Sequence, residues 1–387
     1  MNAVQKDVIA LLRSAVTGVA YPLSADFDLE KVRPYIKQHH ILPLVYEGAR
    51  ICGVESSLMM QLFTGYCKAL QVSEGQMQEL ERILRAFEES GIDYMPLKGC
   101  RMKYLYPKPE LRMMGDADVL IRLEQYDKII PIMEQLGFTA TDETDHELIW
   151  KSQNLQLELH KRLVPSQNKD YFAYYGDGWH LAKEHDGHYF RMTREDEWIY
   201  ELTHFAKHFR DGGIGCRHVL DLWMYHKANP GMDESYVETE LETLGLLEFY
   251  RNVCRLTRFW FEDGPEDDVV ALMSDYIMAS GSWGHLEERV RSITVREKKH
   301  SAVSFSVKLV YACHLLFPPA KMLRRKYTIL QKAPWMLPVV WLIRPFYKVL
   351  FECKTLDKRK KEMHALDKKS VEQHHQMLKA MGIDYRF

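Results

Sequence analysis

The sequence predicts an α+β fold in which a small mixed sheet sits between largely helical regions. Two observations carry this reading. Apolar residues recur at helical spacing over residues 1–88 and again from Glu195 onward. Over residues 89–163 the pattern changes to short extended runs separated by short helical ones.

The N-terminal region shows helical spacing at Val8, Leu11, Leu12 and Val16, then in runs over Leu58–Leu70 and Met77–Phe87, with Gly91 as the stop. Ile92, Tyr94, Pro96 and Leu97 form a short extended segment, and a short helix follows from Cys100 to Tyr106, broken by Pro107 and Pro109. Residues 116–121 read as a strand. Glu124–Leu136 reads as an amphipathic helix stopped by Gly137, with Pro131 as a candidate kink. Glu147–Lys151 and Leu155–Leu159 are two more strand candidates. Tyr171–Phe190 is aromatic-rich and irregular or partly extended. Helices are expected over 195–209, 216–228, 234–246, 247–263 and 265–280, then a charged loop over 282–301 and helical sequence to the end. These runs suggest four regions: helical 1–88, an α/β core 89–163, a helical domain 164–300 completing a cleft, and helical 301–387.

Composition narrows the class. With 387 residues, 46% hydrophobic and 27% charged, the chain can bury a sizeable core. A formal net charge of −2, from 52 basic and 54 acidic residues, gives no global field for long nucleic acid. The seven cysteines contain no CxxC pair, as expected of a reduced, cytoplasmic protein. The N-terminus reads as an amphipathic helix rather than a signal peptide. Residues 334–351 are apolar but interrupted by Pro338, Arg344, Pro345 and Lys348, which suits a packing helix pair, or peripheral contact with a membrane or partner, better than a spanning helix. Trp150, Trp179, Trp198 and Trp223 read as core, and Lys358–Lys361 as a solvated helix face.

Three elements point to phosphate chemistry. On a strand, Asp116 and Asp118 share one face, and two carboxylates side by side repel unless a cation lies between them. Mg²⁺ or Mn²⁺ takes such carboxylates together with substrate phosphates. In residues 155–160 leucines alternate with Gln156, Glu158 and His160, so one strand face carries a carboxylate and an imidazole. Glu158 could complete a metal site or take a proton from an attacking hydroxyl, and His160 could position a ligand. Gly99, between a strand and a helix, lets backbone N–H groups approach a phosphate, with Lys98 and Arg112 supplying charge. Singly these signals mean little; their succession is much rarer.

The stretch LKGCRMKYLYPKPELRMMGDADVLI, with LELH further on, resembles the nucleotidyltransferase superfamily, and most closely an uncharacterised bacterial group within it. The resemblance implies a polymerase-β-like catalytic fold, two-metal chemistry with Mg²⁺ or Mn²⁺, and an NTP such as ATP as substrate. It also implies transfer of a nucleoside monophosphate to an acceptor with release of pyrophosphate. By position, Gly99 would be the turn glycine, Asp116 and Asp118 the metal ligands and Glu158 the third carboxylate. The chain departs in having Cys100 after Gly99, where the superfamily often has serine or glycine, and in a longer gap from Gly99 to Asp116. The implied acceptor is unidentified; the charge balance favours a small molecule or protein over long nucleic acid.

A fourth element, His204, Lys207 and His208 followed by Gly212, Gly213, Gly215, Arg217 and Asp221, leaves three readings open. It is a helix–turn–helix with an Arg217–Asp221 pair, a nucleotide or acceptor contact through Lys207, His208 and Arg217, or a phosphohydrolase-type metal centre on His204, His208 and Asp221. A non-catalytic nucleotide-binding or toxin–antitoxin protein of the same fold is the further alternative.

Overall fold

The computed structural model describes residues 1–282, 323, 327, 333–343 and 368–384. Four helices come first: α1 (Ala3–Thr17), α2 (Leu29–His39), α3 (Leu42–Ile51) and α4 (Met59–Glu89). The two apolar runs expected between 58 and 87 are one continuous helix of 31 residues, α4. Strand β1 (Tyr94–Leu97), the single-turn α5 (Gly99–Met102), β2 (Ala117–Ile121), α6 (Tyr126–Gln135), β4 (Glu147–Lys151) and β5 (Gln156–His160) occupy the expected α/β segment, and α6 runs through Pro131.

Three strands went unread. Strand β3 (Thr139–Glu143) is exposed along its whole length, so it carries no alternation of apolar and polar residues. After α7 (Lys169–Tyr175), strands β6 (Lys183–Asp186) and β7 (Tyr189–Arg191) form a hairpin around Gly187 and His188. The stretch expected to be irregular or partly extended thus supplies two strands and part of a helix, and the sheet reaches beyond residue 163. Its order is β3-β4-β5-β2-β1-β7-β6. It is mixed: β2 runs parallel to β5 and β1 parallel to β7, while the other neighbours are antiparallel.

The two faces of the sheet belong to different cores. Ala117, Val119 and Ile121 of β2, Leu157 and Leu159 of β5, and Leu148 and Trp150 of β4 pack with α6 and with Leu80, Ile83 and Phe87 of α4. On the other face Met95, Leu97 and Leu120 join the large helical core. That core is built by α1–α3 together with α8 (Arg194–Gly212), α9 (Cys216–Ala228), α10 (Glu234–Leu244), α11 (Leu247–Phe261) and α12 (Asp268–Ser280), the last five all near their expected places. Trp150, Trp198 and Trp223 are buried, whereas Trp179 is half-buried, stacks under Arg122 and donates to the Ile121 carbonyl.

α4 does more than cover the sheet. It holds the loop between α5 and β2 through Tyr66 to Glu110, Ser73 to buried Lys103, and Gln76 to the Met114 carbonyl. Its Glu79 reaches Ser152 and Asn154 in the β4–β5 turn. Arg101 of α5 forms a two-pronged pair with Glu197 of α8, which ties the β1 turn to the helical layer.

Further along, Pro334–Met336 form a single turn and residues 337–343 are helical, with Trp335, Leu342 and Ile343 exposed. No helix among the described residues is long and apolar enough to cross a membrane. The chain also forms a Lys368–Ala380 helix. The expected charged loop after Ser282, residues 344–351 and the Lys358–Lys361 run lie outside the described residues.

His39 bolts the end of α2 to two other helices. Its Nδ1 accepts from the Cys216 N–H at the start of α9, and its Nε2 donates to the Met278 carbonyl in α12. Burial holds the ring neutral, its pKa pushed down to about 4 from 6.5. Between those two values the unfolded chain binds the extra proton, so this contribution is complete above the unfolded value and is lost as pH falls toward 4. Melting temperature should therefore drop as pH is lowered from 7 to 5, reflecting roughly 1.4 kcal/mol per pH unit from this site. In a His39→Gln protein the drop should be shallower, and an equal drop would refute the assignment.

Candidate active site

The register of the sheet brings the acidic residues together. Asp118 of β2 lies directly opposite Glu158 of β5, and Glu147 of β4 directly opposite His160 of β5. Residues two apart share a face, so Asp118, Glu158, His160 and Glu147 project on the side away from α6. Asp116, just before β2, lies within hydrogen-bonding reach of Glu158.

Asp118 is the fixed point of this wall. It is buried and accepts from Lys98 Nζ and His160 Nε2, each at 2.8 Å. Burial alone would raise its carboxyl; Lys98 and His160 override that and hold it well below the ordinary range. Burial likewise opposes the charge on Lys98, and Asp118 restores it. Lys98 adopts φ +43, a left-handed conformation that costs a residue with a Cβ about 1–3 kcal/mol. The following Gly99 is there for space: a Cβ would come within 2.9 Å of Arg112 Nη1 and 3.2 Å of the Met114 side chain.

The other carboxylates are less well matched. Burial, then Asp116, Asp118 and Glu147, push Glu158 up to about 8. Donor atoms of Asp118, Glu158 and His160 lie within 4.8 Å of one another. The expected trio was Asp116, Asp118 and Glu158; in this geometry His160 joins Asp118 and Glu158, with Asp116 alongside. Crowded oxygen donors with a surplus of negative charge suit a divalent cation, so the residues present fit the metal that the sequence suggests.

The opposite wall is cationic and comes from α8, the turn after it and α9. Arg112 forms a buried two-pronged pair with Asp221 of α9, at 2.8 and 3.0 Å, and Tyr106 donates to the same carboxylate at 2.7 Å. The expected Arg217–Asp221 pairing is therefore not formed, because Arg112 reaches in from the loop before β2 and takes both oxygens. Arg217 donates instead to the Met113 carbonyl and leaves its buried Nε unpartnered. Lys207 has no ion pair among the described residues; burial and then Lys98 push its pKa down to about 8. His204 and His208 face each other at 3.1 Å between their Nε2 atoms. With Asp221 clasped by Arg112 and Tyr106, His204, His208 and Asp221 do not form a clustered metal-ligand set among the described residues. Gly213 lets the turn close against α12, since a Cβ there would collide with Ser280.

Both walls line one cavity of about 550 Å³, a size that suits a small organic ligand. Lys98, Gly99, Arg112, Asp116, Asp118, Glu158, His160, Lys207, His208 and Arg217, all singled out from sequence, border it, as do His204 and Asp221. Others that line it went unnoticed, among them Glu147, His146 and Glu201. Glu147 and His146 were hidden because only the β4–β5 register aims them at His160. Glu201 sits on a face of α8 that looks like ordinary helix; it is buried, with Oε1 unpartnered, and burial followed by Glu197 pushes it up to about 8.

The Arg112–Asp221 clasp makes a stability prediction. Asp221→Asn strands a buried guanidinium and should cost about 3–5 kcal/mol in urea unfolding. The double change Arg112→Met with Asp221→Leu should recover much of that loss. Equal stability of the parent and Asp221→Asn proteins would show that the pair is not as buried as drawn.

Comparison with known proteins adds one finding. No curated protein and no solved structure matches the chain. The model of an uncharacterised nucleotidyltransferase family matches residues 25–262, which take in both walls of the cavity and more than half of the sequence, and the chain belongs to that family.

Proposed function

We propose that the protein is a divalent-metal-dependent nucleotidyltransferase that moves a nucleoside monophosphate from an NTP to an acceptor hydroxyl and releases pyrophosphate. One observation carries the reading: a carboxylate wall faces Lys207 and Arg217, cations without an ion pair among the described residues, across a single cavity. A nucleoside triphosphate–metal complex is complementary to that division of charge, with its metal toward Asp116, Asp118 and Glu158 and its phosphates toward the cations.

Mg²⁺ or Mn²⁺ bound by those carboxylates would neutralise phosphate charge and make the α-phosphorus a better electrophile. Lys207 and Arg217 bind the phosphate oxygens. Arg112, neutralised and fixed by Asp221, anchors the loop before β2 against α9 beside them. Glu158, on the same wall, accepts the proton of the acceptor hydroxyl. The acceptor oxygen forms its bond to the α-phosphorus as the bond to the bridging oxygen breaks, and pyrophosphate leaves with that electron pair. Lys98 and His160 hold Asp118 in place.

Two measurements test this. Asp116→Asn combined with Asp118→Asn should abolish Mg²⁺-dependent NTP binding and lower pyrophosphate release by at least ~10²-fold, with the circular dichroism spectrum unchanged. A double variant that binds NTP–Mg²⁺ like the parent would sink the assignment. Lys207→Met and Arg217→Met should each raise the Kd for NTP by about 10–100-fold, the scale of one lost charge-assisted hydrogen bond. NTP binding without any pyrophosphate release, across a panel of hydroxyl acceptors, would favour the non-catalytic alternative.

A further inference from the structure

The start of β4 and the end of β5 meet beside the carboxylate wall. Glu147 opens β4 as the antiparallel partner of His160. His146 lies in the bend just before, where its carbonyl accepts from the Lys161 N–H at 2.8 Å. The His146 and His160 rings stand edge to face with centroids 5.8 Å apart. One donor atom from each of His146, Glu147 and His160 lies within 4.8 Å of the others.

An ion pair accounts for part of this, since His146 Nε2 is 3.1 Å from Glu147 Oε2. It does not account for His160. That ring is 2% exposed, its Nε2 is held by Asp118, and its Nδ1 is buried with no partner among the described residues. A buried polar atom left unsatisfied is costly, and most such atoms in proteins have a reason to be there.

We propose that His146, Glu147 and His160 hold a transition-metal ion, separate from the ion placed on Asp116, Asp118 and Glu158. Two imidazoles and one carboxylate favour Zn²⁺ over Mg²⁺, which prefers an all-oxygen shell. Three protein ligands beside a cavity leave a coordination position open for water or a substrate oxygen. The proposal stands on the β4–β5 geometry and does not require the transfer reaction.

Zinc uptake after desalting tests it, with Co²⁺ absorption as a probe of nitrogen ligation that needs no substitution. The parent should retain Zn²⁺ at least ~10²-fold more tightly than His146→Ala or Glu147→Gln, and excess Mg²⁺ should not displace it. The Co²⁺-loaded parent should show the visible bands of an imidazole-bound ion, weakened in both variants. Equal Zn²⁺ retention by the parent and both folded variants would overturn the assignment, as would a parent that binds neither Zn²⁺ nor Co²⁺. A parent that binds Zn²⁺ as described but never binds NTP–Mg²⁺ would defeat the transfer reading and support this one.

Discussion

Mutual repulsion among four carboxylates on one half-buried wall is the constraint around which the rest of the site is arranged. Asp116, Asp118, Glu147 and Glu158 would not share such a surface without compensation. Part of it is built in: Lys98 neutralises Asp118 from one side, and His160 donates a hydrogen bond to it from the other. The rest is left to a cation, and the strained backbone at Lys98 shows that the fold tolerates a local cost to keep one lysine where the balance needs it. The cationic wall has the reverse imbalance. Arg112 is matched by Asp221, while Lys207 and Arg217 line the cavity without an ion pair among the described residues. The cavity is thus polarised across its width, which makes a charge-separated ligand its natural complement.

Much of this was legible in the residues. Asp116 and Asp118 two apart, and Leu155, Leu157 and Leu159 alternating with Gln156, Glu158 and His160, are enough to draw β2 and β5 and to place their polar sides together. What could not be read was pairing. Glu147 meets His160 only through the antiparallel register of β4 with β5, and a register is a relation between distant segments. Arg112 was expected to face phosphate and Arg217 to meet Asp221, because four-residue spacing on a helix is visible in sequence. The longer reach of Arg112, from 109 residues away in the chain, is not. Strand β3 escaped because an exposed edge strand needs no apolar face. The β6–β7 hairpin left one trace, the Asp186-Gly187 turn signal, without alternation to support it.

The helical layer serves two purposes at once. α8 buries Trp198, Leu202, Phe205 and Phe209 in the core and turns Glu201, His204, Lys207 and His208 toward the cavity. Its position is set by the Arg101–Glu197 pair at one end and the closure of Gly213 on Ser280 at the other. Packing on one side of this helix therefore fixes geometry on the other, and a substitution in its apolar face would be felt by the ligand.

α4 has a consequence for modularity. At about 1.5 Å per residue it is roughly 46 Å long, and it touches the sheet core, the loop before β2 and the β4–β5 turn. The N-terminal helices look, on a linear map, like an appendage that precedes the α/β segment. A chain cut before Ile92 would nonetheless lose the lining of one face of the sheet and the splint that aligns the carboxylate-bearing strands. Any rearrangement of this gene that transplants the acidic strands to another protein would have to carry α4 with them.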